Sequence, residues 1–162
     1  MASKAFFDPM VLFRVAPLVS STFALRFSVD QYSFLNVLLA QEHREDAKHI
    51  IPSYFRIFFR NGIWHIGVLY SVSFGSGIAN FFSKPNAAWK WYAAGTALTL
   101  AHMAFAPKIM WSIKDLYDDE PKGQGDQHLK KWLDIHVIRS VLADFPAWIC
   151  FGIACLKSFQ PL

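Results

Sequence analysis

The stretch WLDIHVIRSVLADFPAW, residues 132–148, is an apolar run of helical length that polar side chains interrupt. At 100° per residue, four of them fall along one broad face of a helix, and apolar residues occupy much of the rest. These four are His136, Arg139, Ser140 and Asp144. A second apolar segment follows directly, so the whole is long enough to cross a bilayer. Because ionisable residues in a membrane span usually face inward and pair with one another, we predict that this helix forms one wall of an active site.

The composition favours a membrane protein over a soluble domain. Of the 162 residues, 54% are hydrophobic and 17% are aromatic, the mean hydropathy is +0.24, and the hydrophobic residues are grouped in long segments. The net charge of +4 does not indicate a nucleic-acid partner, because the basic residues flank apolar segments. The two cysteines, Cys150 and Cys155, have the spacing of neither a disulfide framework nor a metal-binding motif.

Four apolar segments predict an all-α fold, an integral membrane four-helix bundle that forms a single domain over residues 1–162. The predicted spans are roughly residues 10–39, 58–82, 87–111 and 131–156. The first is credible as a span only if Arg26 and Asp30, four residues apart, face a protein interior.

Two charged segments, residues 41–49 and 115–128, are predicted to be loops on one side of the membrane. The amphipathic segment 50–60 fits either an interfacial helix or the first turns of the second span. The positive-inside rule places both loops in the cytoplasm and both termini on the other side. We therefore expect a protein of the endoplasmic reticulum membrane, with the lipid bilayer as its partner.

Polar side chains at similar depths in all four spans predict a buried pocket. The candidate catalytic residues are His102, His136, Arg139, Asp144, Asp30 and Arg26. Since buried charges of opposite sign need each other, we predict the pairs Arg26 with Asp144 and Arg139 with Asp30. The alternative is that these pairs only hold the bundle together.

The histidines of the spans allow two kinds of chemistry. His102 lies in an apolar helix, where a neutral imidazole is a ready general base. His65, His102 and His136 could instead bind a metal through three nitrogen ligands, a site that we do not favour because it requires the three spans to converge. Taken alone, His65 beside Trp64 is more typical of a membrane interface than of a base.

Three motifs in order carry a resemblance to a known family. FFRNGIW opens the second span, WYAAGTALTLAHMAFAPKIM forms the third, and KKWLDIHVIR opens the fourth. Together they resemble the anthrone oxygenase-like family, small four-span membrane proteins of fungal secondary metabolism. The resemblance covers roughly residues 50–156. Its most specific parts are Ala106 with Pro107 and the pattern W-x-x-x-H-x-x-R from Trp132 to Arg139, although that family more often has Asn at the position of His136.

The resemblance implies oxidation of an anthrone to a quinone in a polyketide pathway, with molecular oxygen as co-substrate and no metal, haem or flavin cofactor. An anthrone carbanion is an aromatic phenolate that can itself reduce oxygen, so the protein must supply a base, an oxyanion partner and an apolar chamber. We assign the base to His102 or His136 and the oxyanion partner to Arg139. Asp144 or Asp30 would orient the base. The assigned substrate-binding residues are Trp64, His65 and Trp111.

Our leading hypothesis is a membrane-embedded, cofactor-independent monooxygenase that acts on a hydrophobic small molecule. A cyclase, isomerase or hydrolase could use the same acid and base groups without oxygen. Measurement of oxygen uptake distinguishes such an enzyme from the monooxygenase. A non-catalytic scaffold would anchor soluble enzymes through the two charged loops. That hypothesis predicts that His102→Ala and His136→Ala leave product formation intact. A homo-oligomer is compatible with each hypothesis.

Overall fold

The regular elements of the protein are helices throughout the part that the computed structural model describes, residues 8–119 and 122–159. The α-helices are α1 (Pro9–Asn36), α2 (Arg44–Ser83), α3 (Trp89–Ala104), α4 (Ala106–Asp118), α5 (Gly125–Arg139) and α6 (Phe145–Ser158). Short 3-10 turns cover Val37–Leu39 and Asn86–Ala88, and a π-helical turn, Ser140–Asp144, joins α5 to α6. The prediction of an all-α fold is confirmed for these residues.

The described helices pack as four rods: α1, α2, α3 with α4, and α5 with α6. Rod α1 contacts α2 and α6, and α3 contacts the same two neighbours. Two contacts show that the neighbouring rods α1 and α2 are antiparallel. Near one end of α1 the side chain of Asn80 donates to the carbonyl of Phe13, and further along α1 the ring of Phe27 lies over Gly62.

Three helical stretches are long and apolar enough to cross a membrane: Pro9–Leu39, Arg44–Ser83 and Gly125–Ser158. The predicted span 87–111 is not among them, because its helix ends at Ala104 and a new one starts at Ala106. Pro107 causes this break. It has no backbone N–H to donate, and its ring crowds the carbonyl four residues earlier.

The segments that were predicted as loops are largely helical. Residues 44–49 form the first turns of α2, and α2 continues without a break through residues 50–60. The segment 115–128 contains the end of α4 and the start of α5, with residues 120 and 121 outside the described part. At this end of the molecule Arg44 Nε donates to Asp126 Oδ2 over 2.6 Å, which ties the start of α2 to the start of α5.

Buried apolar side chains form two cores at opposite ends of the rods. The first core contains, among others, Leu35, Ile51, Phe55, Leu116, Leu129 and Trp132. The second contains Ala88, Tyr92, Ala147, Phe151 and Ala154. Along the last rod, residues 136–144 lie between the two cores, so a polar layer separates two apolar ones.

The outward faces of the rods are apolar at the level of this polar layer. Phe23, Val68, Leu100, Leu142 and Phe145 are between 46% and 61% exposed. A soluble monomer rarely exposes a contiguous apolar surface of this kind. The pattern is typical of side chains that face lipid.

Candidate functional site

The polar layer holds a cluster of four buried ionisable side chains. His102 of α3, His136 and Arg139 of α5, and Asp144 of the π-helical turn are each no more than 7% exposed. Side chains of α1 and α2 bond to them, so all four rods meet here. The sequence predicted these four residues as catalytic candidates, and the fold brings them together.

Asp144 is the central acceptor of the cluster. Its Oδ1 accepts hydrogen bonds from His102 Nδ1 and from the Tyr70 hydroxyl, both over 2.8 Å. Its Oδ2 lies 3.5 Å from Arg139 Nε and forms an ion pair with it. The rings of Tyr70 and His102 also contact each other, with centroids 4.1 Å apart. The carboxylate is therefore held by donors from three different rods.

The bond from His102 to Asp144 fixes the proton of that imidazole on Nδ1, which leaves a lone pair on Nε2. Nε2 makes no hydrogen bond to any described residue. His102 also lines a cavity of about 10 Å³, together with Tyr70 and Arg139. A carboxylate that orients a histidine in this way prepares the far nitrogen to act as a general base.

His136 is held in the opposite tautomer. Arg139 Nη2 donates to its Nδ1 over 2.9 Å, so the proton must be on Nε2. Nε2 then donates to the carbonyl of Ser28 over 2.9 Å, and the Ser28 hydroxyl lies 2.6 Å from that of Ser140. The ring also stacks on Trp132, with centroids 4.8 Å apart. With both nitrogens engaged, His136 fixes the position of Arg139, and His102 is the better candidate for the base.

The π-helical turn brings Asp144 to Arg139. Within it the N–H of Phe145 donates to the carbonyl of Ser140, five residues earlier. Pro146 follows directly, and it would crowd the carbonyl four residues before it in an ordinary helix. Residues five apart face the same way after one π turn, whereas an α-helix would separate them by about 140°. Such turns are frequent at functional sites.

The predicted ion pairs between the first and fourth spans are wrong. Arg26 Nη2 pairs with Asp30 Oδ1 of its own helix over 2.7 Å, and Arg139 pairs with Asp144. The side chain of Arg26 is 70% exposed. Because the i and i+4 positions of a helix are neighbours, Arg26 and Asp30 satisfy each other without reaching another rod.

Arg26 and Asp30 instead line a cleft of about 540 Å³ between α1 and α2, which we call the α1/α2 cleft. From α1 its wall also receives Phe23 and Phe27. From α2 it receives Trp64, His65, Val68 and Leu69. Two predicted catalytic residues and two predicted substrate-binding residues thus share one cavity, apart from the buried cluster.

The fold also bears on Trp111 and on the metal site that we did not favour. Trp111 lies on α4, is 67% exposed and does not line the α1/α2 cleft. His65 lies in that cleft, away from His102 and His136, so the three histidines do not converge on one metal. In the described part of the chain, no group of three or more His, Cys, Asp or Glu side chains is placed to hold a metal ion.

Tyr70 and Ser28 belong to the cluster but were not predicted. A weak signal for them exists, because polar residues recur at helical spacing along the inward faces of α1 and α2. These residues are Ser21, Ser28 and Gln31 on α1, and Tyr70, Ser73 and Asn80 on α2. A stripe of this kind in an apolar helix indicates the face that meets other polar groups.

No protein-family model matches the chain, and no solved structure matches it. The probable epoxidase scpX of Mollisia scopiformis is 31% identical over 155 residues, which cover 91% of this chain and 96% of that protein. The chain belongs to the family of that fungal protein. Epoxidase pydX of Acremonium sp is 28% identical, over 93% of this chain and 96% of its own length. Epoxidase gkaX of Penicillium citrinum is 24% identical, over 91% and 94%.

The names of these relatives support an oxygenase-type enzyme, which is the coarser part of the sequence prediction. None of the three is named an anthrone oxygenase. All three are named as epoxidases, one of them as a probable epoxidase. An anthrone substrate for this chain stays a prediction.

Proposed function

We propose that the chain is a membrane-embedded, cofactor-independent oxygenase that forms an epoxide on a hydrophobic, quinol-type substrate with molecular oxygen. The observation that carries the proposal is the buried cluster of His102, Asp144 and Arg139 between two apolar cores. The names of the relatives support the transfer of oxygen to a double bond. The resemblance to anthrone oxygenases supports a substrate that supplies the electrons itself.

The first step is a proton transfer. His102 Nε2 removes a proton from a hydroxyl group of the substrate, and Asp144 stabilises the imidazolium that forms. The resulting anion is electron-rich at the ring carbon next to its oxygen. That carbon bonds to one oxygen atom of O2, which gives a peroxide on the substrate. Arg139 stabilises the negative charge of the phenolate and then of the peroxide.

The second step closes the epoxide. The neighbouring enol carbon attacks the inner peroxide oxygen, the O–O bond breaks, and the outer oxygen leaves and becomes water. Both hydroxyl protons of the quinol end in that water. The sum is quinol plus O2 to quinone epoxide plus water, in which the substrate provides all four electrons that oxygen takes up. An anthrone would follow the same first step through its acidic methylene group.

For the membrane, we propose four crossings in the endoplasmic reticulum, with the connections α1 to α2 and α4 to α5 in the cytoplasm. Three sufficiently long apolar helices and the exposed apolar side chains support insertion. Rod α3 with α4 would be the fourth crossing, in which Pro107 interrupts the helix. The basic residues near the two connections support the orientation. The resemblance to the anthrone oxygenase-like family also supports a role in fungal secondary metabolism.

Isotope labelling tests the proposed reaction. The protein is purified in lipid nanodiscs and incubated under ¹⁸O2 with 2-methyl-1,4-naphthohydroquinone and, separately, with anthrone. We expect one ¹⁸O atom in each product and one in water, and oxygen consumption equal to product formation. Products that form without ¹⁸O would favour the cyclase, isomerase or hydrolase hypothesis. Rates with both substrates no higher than those of His102→Gln would overturn the proposal.

A further inference from the structure

We propose that the α1/α2 cleft is the substrate site, that its ligand is a flat hydrophobic molecule with a carbonyl or phenolic edge, and that Phe27 is the gate between this cleft and His102. The inference rests on the proposed function, because it takes the cleft's ligand to be the substrate of the buried cluster. It assigns a binding site to a cleft whose wall contains none of His102, His136, Arg139 and Asp144.

The sizes of the two cavities require a site outside the cluster. The cavity beside His102 has about 10 Å³, which is the space of a single water molecule. The α1/α2 cleft has about 540 Å³, within the range of small-molecule sites. An organic substrate can therefore rest in the cleft and reach His102 only where the wall between the two cavities opens.

Phe27 and Leu69 form that wall, since both line the cleft and the small cavity. The order of residues along α1 explains why Phe27 lines both cavities. On α1, Ser28 faces the cluster and Arg26 faces the cleft, with Phe27 between them. The Phe27 ring contacts His65 on the cleft side, with centroids 5.5 Å apart, and its Cζ would lie 3.5 Å from a Cβ at Gly62. The Phe27 ring thus packs against Gly62 of α2.

Polar groups at the cleft determine the class of ligand. Arg26 uses one nitrogen for Asp30, and its exposed guanidinium has further donors to offer. His65 Nδ1 donates to the carbonyl of Asn61 over 3.1 Å, so its Nε2 is an acceptor. Phe23, Phe27 and Trp64 supply aromatic faces for a planar molecule. A lipid acyl chain would match neither the donors nor the acceptor.

A second cleft gives a matched control. It has about 290 Å³, lies between α2 and α3, and includes Gly67, Tyr70, Leu100 and Met103 in its wall. Gly67 and Val68 are adjacent on α2 but face different clefts. Both accept a large side chain, because nothing lies within 4 Å of a Cβ at Gly67 and Val68 is 61% exposed. Val68→Trp fills the α1/α2 cleft, and Gly67→Trp fills the other.

The binding experiment uses 2-methyl-1,4-naphthoquinone as the probe, with protein in nanodiscs, equilibrium dialysis without oxygen, and empty nanodiscs to subtract partition into lipid. We expect Val68→Trp to raise the Kd at least about tenfold and Gly67→Trp to change it less than about twofold. The reverse pattern would overturn the proposal in favour of the α2/α3 cleft. No saturable binding to the wild type, or equal binding by both variants, would overturn it in favour of lipid in the cleft.

The proposed gate residue, Phe27, is tested by measuring the release of hydrogen peroxide. We expect Phe27→Ala to release hydrogen peroxide, because water then reaches the peroxide on the substrate before the epoxide closes. The uncoupled reaction is quinol plus O2 to quinone plus H2O2. Phe74→Ala, which removes an aromatic ring from the α2/α3 cleft, should release no hydrogen peroxide. Turnover by Phe27→Ala without release of hydrogen peroxide would overturn the proposal that Phe27 is the gate. Because binding is measured without oxygen, the site can stand even where the ¹⁸O2 experiment defeats the proposed reaction.

Discussion

His102 and His136 lie in the same polar layer, yet their hydrogen bonds give them different tautomers. His102 donates to a carboxylate and keeps a lone pair on its other nitrogen, whereas His136 accepts a hydrogen bond from Arg139 and donates one to the carbonyl of Ser28. The sequence named both as possible bases. It could not separate them, because the choice depends on the partner of each nitrogen.

A stability prediction follows for Asp144. Asp144→Ala removes the counter-charge of Arg139, which is 5% exposed, and breaking a buried pair costs about 3–5 kcal/mol. Asp144→Asn keeps an oxygen that can accept from Tyr70 and His102, so we expect a smaller loss. Thermal unfolding in detergent measures both. The double variant Arg139→Met with Asp144→Leu should regain much of the lost Tm, and an Asp144→Ala variant as stable as the wild type would contradict the ion pair.

At the scale of single helices, the π-helical turn explains why the sequence placed Asp144 only approximately. A constant 100° per residue separates Arg139 and Asp144 by about 140°, so they would lie at opposite edges of the broad polar face. The observed turn aligns them, and only Pro146 in the sequence hints at an irregular turn. The break at Phe105 has a similar origin, because Pro107 divides what hydrophobicity alone makes a continuous span.

Close packing of α3 and α6 depends on Gly95. A Cβ at this position would lie 2.7 Å from Phe151 Cε1, and Phe151 is completely buried. We therefore expect Gly95→Ala to lower the free energy of unfolding by about 1–3 kcal/mol. Gly75→Ala is the control, because nothing lies within 4 Å of its Cβ and alanine favours the helix. Equal Tm values for the two variants would show that the packing of α3 on α6 is looser than described.

At the scale of the whole molecule, the all-α class and the helix that carries His136, Arg139 and Asp144 could be predicted from apolar segment length and polar spacing. The ion-pair partners of Arg26, Asp30, Arg139 and Asp144 could not be predicted in this way. Depth along a span does not tell which face a side chain takes, so Arg26 and Asp30 were expected in the cluster although they pair with each other in the α1/α2 cleft. The helical charged segments were also missed, because the first apolar core extends beneath them.

The proposed orientation in the membrane is tested with single cysteines in a background without Cys150 and Cys155. Lys122 and Ser83 are both exposed and lie at opposite ends of the rods. In sealed microsomes we expect a membrane-impermeant maleimide to label Lys122→Cys directly and Ser83→Cys only after permeabilisation. The opposite order would invert the topology. Labelling of both without permeabilisation would contradict a membrane crossing between them.

The central claim is that the buried cluster performs the oxygenation. It is tested most directly by the oxygen uptake of Asp144→Asn in nanodiscs with 2-methyl-1,4-naphthohydroquinone, with Asp134→Asn, an exposed residue paired with Lys130, as the control. We predict a kcat at least about a hundredfold lower for Asp144→Asn, since the base loses its orienting carboxylate, and an unchanged kcat for Asp134→Asn. A folded Asp144→Asn variant that takes up oxygen at the wild-type rate would contradict the account.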